Sequence, residues 1–168
     1  MICIEVEGLT KQFGPKKVVD GLSFSLPMHT STALIGPNGA GKTTALSMLA
    51  HLMEPTSGKI IMPNIKDMRS AIGFLPQYPQ FYSWLTALEY MEMVASLSNL
   101  DKRTLKSDCK KMLSFVGLED AMNKKTVTFS GGMKQRLGIA QALVHKPKLL
   151  LLDEPVSALD PVGRREVM

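Results

Sequence analysis

The run of four leucines at Leu149–Leu152 constrains the fold of this chain more than any other feature. Neighbouring side chains of a strand point to opposite faces, so a strand that is apolar at every position has two apolar faces. Such strands are typical of parallel sheets that helices cover on both sides. The run ends in Asp153 and Glu154, and ligands of these sheets bind at the carboxyl ends of strands. We therefore expect an α/β fold with two carboxylates at a ligand-binding edge.

Composition narrows the class of protein. The chain has 168 residues, 45% of them hydrophobic and 21% charged, which suffices for one domain with a real core. No apolar run approaches the roughly 18 residues of a membrane helix, and the N-terminal segment lacks the apolar core of a signal peptide. Cys3 and Cys109 lie far apart, which favours two reduced thiols. We interpret the net charge of +5 as a solvated basic surface, with phosphate ligands, nucleic acid or a membrane surface as alternatives.

Hydrophobic periodicity predicts strands towards both ends of the chain and helices between them. The alternation from Ile2 to Val6 predicts a half-buried strand. Further short strands are predicted at residues 18–19, 22–26, 32–35, 59–62 and 71–75. Helices are predicted after the glycine-rich loop, at 86–98 behind a capping box of Thr86 and Glu89, at 105–116 and from 131 to 144. We expect an α/β core of residues 1–84 and 145–168, with a helical subdomain inserted at 85–144.

Residues 36–43 fit the pattern G-x-x-x-x-G-K-[ST] of a phosphate-binding loop. Its glycines let backbone N–H groups curl around an anion. Lys42 supplies a cation for the terminal phosphates, and Thr43 offers a hydroxyl to a magnesium ion. The predicted helix behind the loop directs its positive end at the phosphates. The pattern therefore predicts a nucleotide site, and a glycine-rich turn without a ligand is the alternative.

The two carboxylates after the leucine run have different predicted roles. Asp153 would hold magnesium, directly or through water, as the second-motif aspartate of such folds does. Glu154 is one residue further, so it points to the other side of the strand and would polarise an attacking water as a general base. A simple helix or turn cap is the alternative for both residues.

Five segments occur in the order that is found in ATP-binding-cassette (ABC) ATPases. They are residues 36–44 (GPNGAGKTT), Gln77, 130–132 (SGG), 149–155 (LLLLDEP) and 157–160 (SALD). The chain resembles this family over its whole length. The resemblance implies a P-loop NTPase core of the RecA-like type with a mostly parallel sheet, antiparallel N-terminal β segments and an inserted α-helical subdomain. It also implies ATP and Mg²⁺ as cofactors, and ATP hydrolysis coupled to transport as the activity.

The resemblance implies a role for each matching residue. Phe13 matches the aromatic that stacks on adenine, with core packing as the alternative. Gln77 matches the loop glutamine that reaches towards magnesium and the attacking water. Ser130–Gly132 match the signature, which binds the terminal phosphate of ATP held by the opposite subunit. Asp160 matches the aspartate that couples the two sites, and an N-cap before Pro161 is the alternative interpretation.

The predicted site residues form five groups. The nucleotide-binding residues are Phe13, Gly36, Pro37, Asn38, Gly39, Ala40, Gly41, Lys42, Thr43 and Thr44. The catalytic residues are Glu154, Gln77 and Lys42, and the metal-binding residues are Thr43, Gln77 and Asp153. The signature residues for the partner's ATP are Ser130, Gly131 and Gly132, and Asp160 couples the dimer.

The signature departs from the fuller family pattern, Leu-Ser-Gly-Gly-Gln, at both ends. This chain has Phe129 and Met133 there, so any contact of the missing glutamine is lost. A methionine at position 133 also occurs in branches that resemble antibiotic or multidrug exporters, which favours export.

The end of the chain also differs from a complete family domain. The family uses a histidine after the next strand, whereas His29, His51 and His145 all precede Asp153. The chain ends at Met168, several tens of residues before a complete domain would. We therefore expect a C-terminally truncated chain with weak or absent ATPase activity by itself.

The resemblance implies partners and a location. Two cassettes would sandwich ATP, so the expected partners are a second ABC ATPase subunit and transmembrane permease subunits, and no nucleic acid is expected. The chain would be cytoplasmic, on the inner face of the cell membrane through the permease. The alternatives are a truncated inactive remnant and an ABC ATPase outside transport. The segment from Gln77 to Ser130 is too short for the coiled-coil arms of chromosome and repair types.

Overall fold

The structure, a computed structural model, describes residues 2–98 and 100–155. The chain divides into two compact units, Met1–Ala71 and Ile72–Met168. The predicted phosphate loop belongs to the first unit, and the predicted catalytic carboxylates belong to the second. Asp160 lies outside the described residues.

The first unit contains a three-stranded antiparallel sheet. Its strands are β1 (Ile2–Phe13), β2 (Lys16–Pro27) and β3 (Ser57–Ile61), in the order β2-β1-β3. Ile4, Val6 and Leu9 are buried, so the predicted half-buried first strand is confirmed. The antiparallel β segments expected near the N-terminus are therefore present.

The prediction of two separate segments around Gly21 was wrong. Both segments belong to the single strand β2. Gly21 takes a left-handed conformation (φ 65°), and the pairing with β1 changes register between Leu9 and Lys11. The glycine therefore marks a bulge within one strand and does not end it.

The predicted strand at residues 32–35 does not form. These residues have no strand assignment, and Leu34 and Ile35 are 45% and 90% exposed. A parallel strand is stable only where a neighbouring strand pairs with its backbone, and no described strand pairs with this segment. The helix expected behind the glycine-rich loop is present as α1 (Lys42–Leu49), and the short α2 (Met68–Ala71) was not predicted.

The second unit contains a parallel pair of strands. β4 (Ile72–Leu75) pairs with β5 (Leu149–Leu152) in the register Ile72↔Leu149 to Leu75↔Leu152. The parallel pairing of the leucine strand is therefore confirmed. The expected burial of both faces of this strand is not confirmed, because Leu151 is buried whereas Leu150 is 37% exposed. Among the described residues, β5 has β4 as its one neighbour, which leaves part of its apolar surface uncovered.

Three longer helices build the core of the second unit. They are α3 (Ala87–Ser96), α4 (Leu105–Phe115) and α5 (Gly131–Leu143), as the periodicity predicts. Their inner faces form one hydrophobic group, the helical cluster, of Ala87, Leu88, Tyr90, Met91, Ala95, Cys109, Leu113, Leu118, Ala121, Phe129, Leu137, Ala140 and Val144. Each fully buried leucine or methionine in it contributes about 1.5–3 kcal/mol. In the described part of the chain, no helix has the length and apolar character that crossing a bilayer requires.

Candidate functional site

The phosphate loop of the first unit is curled by two left-handed glycines. Gly39 and Gly41 have φ angles of 80° and 86°. A Cβ atom on Gly41 would overlap the carbonyl oxygen of Val18, so β2 packs against the loop too closely for any side chain there. The Ala40 N–H donates to the Pro37 carbonyl at 3.2 Å and closes a turn. The sequence pattern thus produces the compact loop that it predicts.

Lys42 folds back over this loop. Its ammonium donates to the carbonyl oxygens of Gly36 and Pro37, both at 2.8 Å. The charge therefore lies at the mouth of the loop and at the first residue of α1. Among the residues that the structure describes, no side chain caps the N-terminus of α1, and the first turn of this helix carries no acidic residue. The backbone N–H groups of that turn are consequently left for an anion to satisfy.

Phe13 lies at the end of β1 and is 48% exposed. The alternative that it packs in the core is therefore wrong. Sequence reasoning did not single out Lys11, whose Nζ lies 5.3 Å from the centroid of the Phe13 ring. The signal was available, because residues two apart on a strand share a face.

In the second unit, Asp153 continues the pairing at the carboxyl end of β5. Its N–H donates to the Leu75 carbonyl at 2.9 Å, and the residue is only 4% exposed. One carboxylate oxygen, Oδ2, is buried without a hydrogen-bond partner among the described residues. A buried carboxylate oxygen without a donor is costly unless a cation or a water molecule satisfies it.

This orphaned oxygen fits the magnesium ion that the family resemblance implies. Mg²⁺ is usually held by one or two carboxylates together with water and substrate phosphates, so a single buried aspartate suits it. Within the described residues, no group of three or more His, Cys, Asp or Glu side chains forms a metal cluster. A magnesium site completed by the phosphates of the nucleotide agrees with the single buried aspartate and with the lack of such a cluster among the described residues.

Glu154 is held by Gln77. The Gln77 side-chain amide donates to Oε2 of Glu154 at 2.7 Å, which joins two predicted catalytic residues. Glu154 has a left-handed backbone with φ 49°, a conformation that costs a non-glycine residue about 1 kcal/mol or more. Strain of this kind persists only where the surroundings impose it. The second unit therefore brings Gln77, Asp153 and Glu154 together at the end of β5.

The signature forms the N-terminus of α5. Ser130 is the N-cap residue, and its Oγ accepts a hydrogen bond from the Met133 N–H at 3.2 Å. Gly131 and Gly132 form the first turn, which carries no acidic residue. The Met133 side chain packs against the helical cluster. Methionine in place of the family's glutamine therefore adds apolar contact at this position.

A cleft in the second unit connects the loop after β4 with the start of α5. Its volume is about 350 Å³, and its walls include Gln77, Thr126, Gly131, Lys134 and Gln135. Gln135 is 1% exposed, and its side-chain nitrogen has no hydrogen-bond partner among the described residues.

Tyr78 also lines this cleft, and it is one of three exposed aromatic side chains in this part of the chain that sequence reasoning missed. Tyr78 is 73% exposed, Tyr82 49% and Trp84 65%, and the rings of Tyr82 and Trp84 are 5.1 Å apart. The signal for them was the density of aromatic residues in the segment directly after Gln77.

Comparison with known proteins agrees with these features. The family described as ABC transporter matches residues 19–157. The uncharacterized ABC transporter ATP-binding protein YxlF of Bacillus subtilis is 53% identical over 166 residues, which cover 98% of this chain and 56% of YxlF. The bacitracin transport ATP-binding protein BcrA of Enterococcus faecalis is 42% identical over 170 residues, which cover 98% of this chain and 54% of BcrA. The chain thus spans little more than half the length of these relatives.

The fold has a solved counterpart. The dimeric structure of MJ0796, a bacterial ABC transporter cassette, superimposes with a TM-score of 0.88 at 27% identity, over 98% of this chain and 79% of MJ0796. A second structure of MJ0796, in a post-hydrolysis state, is bound to ADP and Pi. The phosphate loop, the carboxylates after β5, the signature at α5 and these matches together show that the chain belongs to the ABC transporter family of ATP-binding cassettes.

Proposed function

We propose that this chain binds and hydrolyses ATP to energise a membrane transporter. The observation that carries the proposal is the group at the end of β5. There Gln77 holds Glu154 beside the buried carboxylate oxygen of Asp153, which has no hydrogen-bond partner in the described part of the chain. Family membership supports the same activity, as does the binding of ADP and Pi by MJ0796.

The proposal gives nucleotide binding to the first unit. Gly36–Thr44 would surround the phosphates with backbone N–H groups, and Lys42 would exchange its two carbonyl contacts for phosphate oxygens. Phe13 would stack on the adenine. The candidate ligands of Mg²⁺ are Thr43 in the first unit and, in the second unit, Asp153 and Gln77; the ion would supply charge neutralisation for the phosphates.

Hydrolysis is assigned to Glu154. A water molecule attacks the terminal phosphorus, its proton passes to the Glu154 carboxylate, and ADP leaves. Gln77 donates a hydrogen bond to one oxygen of that carboxylate, so the other oxygen remains to accept the proton.

The proposed partners are a second cassette and a permease. The signature at Ser130–Gly132 would bind the terminal phosphate of the second cassette's ATP, and Asp160 would couple the two sites. The exposed Tyr78, Tyr82 and Trp84 would contact the permease, since exposed aromatic groups of this kind are typical of interfaces. The protein would then lie on the inner face of the cell membrane through the permease, and residues 85–144 would form its helical subdomain.

Export is the proposed direction of transport. Met133 in the signature resembles antibiotic and multidrug export branches, and BcrA is named for bacitracin transport. The solute itself would be selected by the permease.

The experiment measures ATP binding and phosphate release by the whole protein with its permease. Glu154→Gln is expected to retain ATP binding and to reduce phosphate release by at least about a hundredfold, as loss of a general base does. Lys42→Ala is expected to weaken ATP binding itself. Glu119→Gln, which replaces an exposed glutamate outside the site, is the matched control. Phosphate release that persists in Glu154→Gln would refute the assignment of the base.

A further inference from the structure

The face of β1 that carries Phe13 also carries a cation. Lys11 and Phe13 are two residues apart on the strand, and the Lys11 ammonium lies 5.3 Å from the ring centroid. The same ammonium donates to the carbonyl oxygen of Glu54 at 2.6 Å. Two interactions therefore fix its position, one with the ring and one with the backbone beyond β1.

This arrangement makes the two faces of the Phe13 ring unequal. An ammonium over an aromatic face is attracted by the negative potential of that face. Because the Glu54 carbonyl anchors it, Lys11 covers one face and restrains the ring, while the residue as a whole stays 48% exposed. A second planar group can stack on the face that the ammonium does not cover.

We propose that Lys11 is a positioning residue for nucleobase recognition, which holds the Phe13 ring so that the base stacks on the face opposite the ammonium. The inference rests on the proposed function, in which Phe13 receives the adenine. A restrained ring loses less conformational freedom when the base binds, which raises affinity. The ammonium also draws electron density towards its own face, which reduces repulsion between the opposite face and the base.

The experiment compares two probes, ATP and inorganic tripolyphosphate, by calorimetric titration of the whole protein. Lys11→Met is expected to weaken ATP binding by about two- to fivefold, the equivalent of one exposed cation–π contact. Tripolyphosphate has no base, so its affinity is expected to stay unchanged. Lys11→Arg keeps a cation able to cover the ring, so its ATP affinity is expected to equal that of the parent protein.

Two controls separate this role from general effects. Lys17→Met removes a neighbouring cation of the same hairpin, one that pairs with Asp20 at 3.0 Å, and is expected to change neither affinity. In a Phe13→Ala background, Lys11→Met is expected to have no further effect on ATP binding, because Lys11 acts through the ring. If Lys11→Met fails to fold, Lys11→Gln replaces it, since its amide keeps a donor for the Glu54 carbonyl.

The outcomes that overturn the inference differ from those that overturn the proposed function. Equal loss of ATP and tripolyphosphate affinity in Lys11→Met would make Lys11 a general phosphate attractant and refute the inference. The inference would also be refuted if Lys11→Met weakened ATP binding equally in the parent protein and in the Phe13→Ala background. Unchanged ATP binding in Lys42→Ala would instead count against the proposed function, whatever Lys11 does.

Discussion

Burial sets the chemistry of the Cys109 thiol. The residue is fully buried in the helical cluster, and burial, with Glu92 and Asp108 nearby, raises its pKa from 9.0 to about 11. A folded pKa above the unfolded one means that the native state holds its proton longer as the pH rises. Stability from this group is therefore complete below pH 9 and is lost between about pH 9 and pH 11.

The prediction is that Cys109→Ala reduces the decline of the unfolding free energy across this pH interval. Urea unfolding at several pH values measures the effect, and the comparison with the parent protein removes the contribution of other titrating groups. Cys3→Ala is the control, because it removes the same side chain from a position that is only half-buried. A decline of the same steepness in Cys109→Ala would show that the thiol does not titrate as described.

Single residues also show what the sequence could predict at the site. Asp153 and Glu154 lie where the pattern predicts them, at the end of a parallel strand, because a strand followed by polar residues is a local signal. The bond from Gln77 to Glu154 joins residues 77 positions apart, and the left-handed backbone of Glu154 is a conformation that few non-glycine residues adopt. Neither is encoded in a local pattern, so both had to come from the structure.

At the scale of helices and strands, the start of α3 gives a second prediction. The Thr86 Oγ1 accepts from the Glu89 N–H at 3.2 Å, and the Glu89 carboxylate accepts from the Thr86 N–H at 2.7 Å. Thr86→Ala removes the cap and is expected to destabilise the protein by about 1 kcal/mol. Thr104→Ala at the start of α4 is the matched control, since Thr104 makes no capping bond, and is expected to change stability little.

Denaturant unfolding of both variants measures the difference. Equal losses of stability would mean that the capping box does not stabilise α3. The hydrogen bonds from Thr86 also lower the pKa of Glu89, so their contribution is present above pH 4.5 and falls as the pH drops through the lowered value.

The packing of β4 against α5 gives a third prediction. A Cβ atom on Gly73 would overlap the carbonyl oxygen of Ala142, and a backbone carbonyl cannot move aside as a flexible side chain can. Gly73→Ala is therefore expected to cost about 1–3 kcal/mol of stability. Gly36→Ala is the control, because its Cβ would lie 3.5 Å from that of Ala40, an ordinary contact. Thermal unfolding compares the two, and an unchanged midpoint in Gly73→Ala would contradict the tight packing.

The elements that the sequence predicts well are those with local signals. The capping box and the 3.6-residue periodicity both lie within the residues of α3 and its N-cap, so the sequence of this segment is enough to locate the helix. The segment at residues 32–35 has an equally apolar composition, but a strand also needs backbone partners, which its own residues do not supply. Partial exposure of Leu150 has the same origin, because the covering of a strand face depends on residues distant in sequence.

At the scale of the whole molecule, the proposed role of the signature is to bind the phosphate of a second cassette's ATP, and the N-terminus of α5 suits an anion. The Ser130 Oγ accepts the Met133 N–H and keeps its own hydroxyl proton to donate. The positive end of α5 carries no acidic residue in its first turn. In the proposed dimer, this surface meets the phosphate of the second cassette, which the dimeric structure of the similar MJ0796 cassette supports.

The last prediction separates binding by one chain from assembly of two. Ser130→Asp keeps an N-cap acceptor for α5, but its negative charge repels a phosphate. In a Glu154→Gln background, in which ATP is not consumed, Ser130→Asp is expected to weaken ATP-dependent dimerisation by about a hundredfold or more, while one chain still binds ATP. Light scattering measures dimerisation, and calorimetry measures binding. The control Ser130→Thr keeps the hydroxyl and is expected to dimerise normally. If Ser130→Asp weakens ATP binding by the single chain as much as it weakens dimerisation, the signature is not a separate surface for the partner's nucleotide.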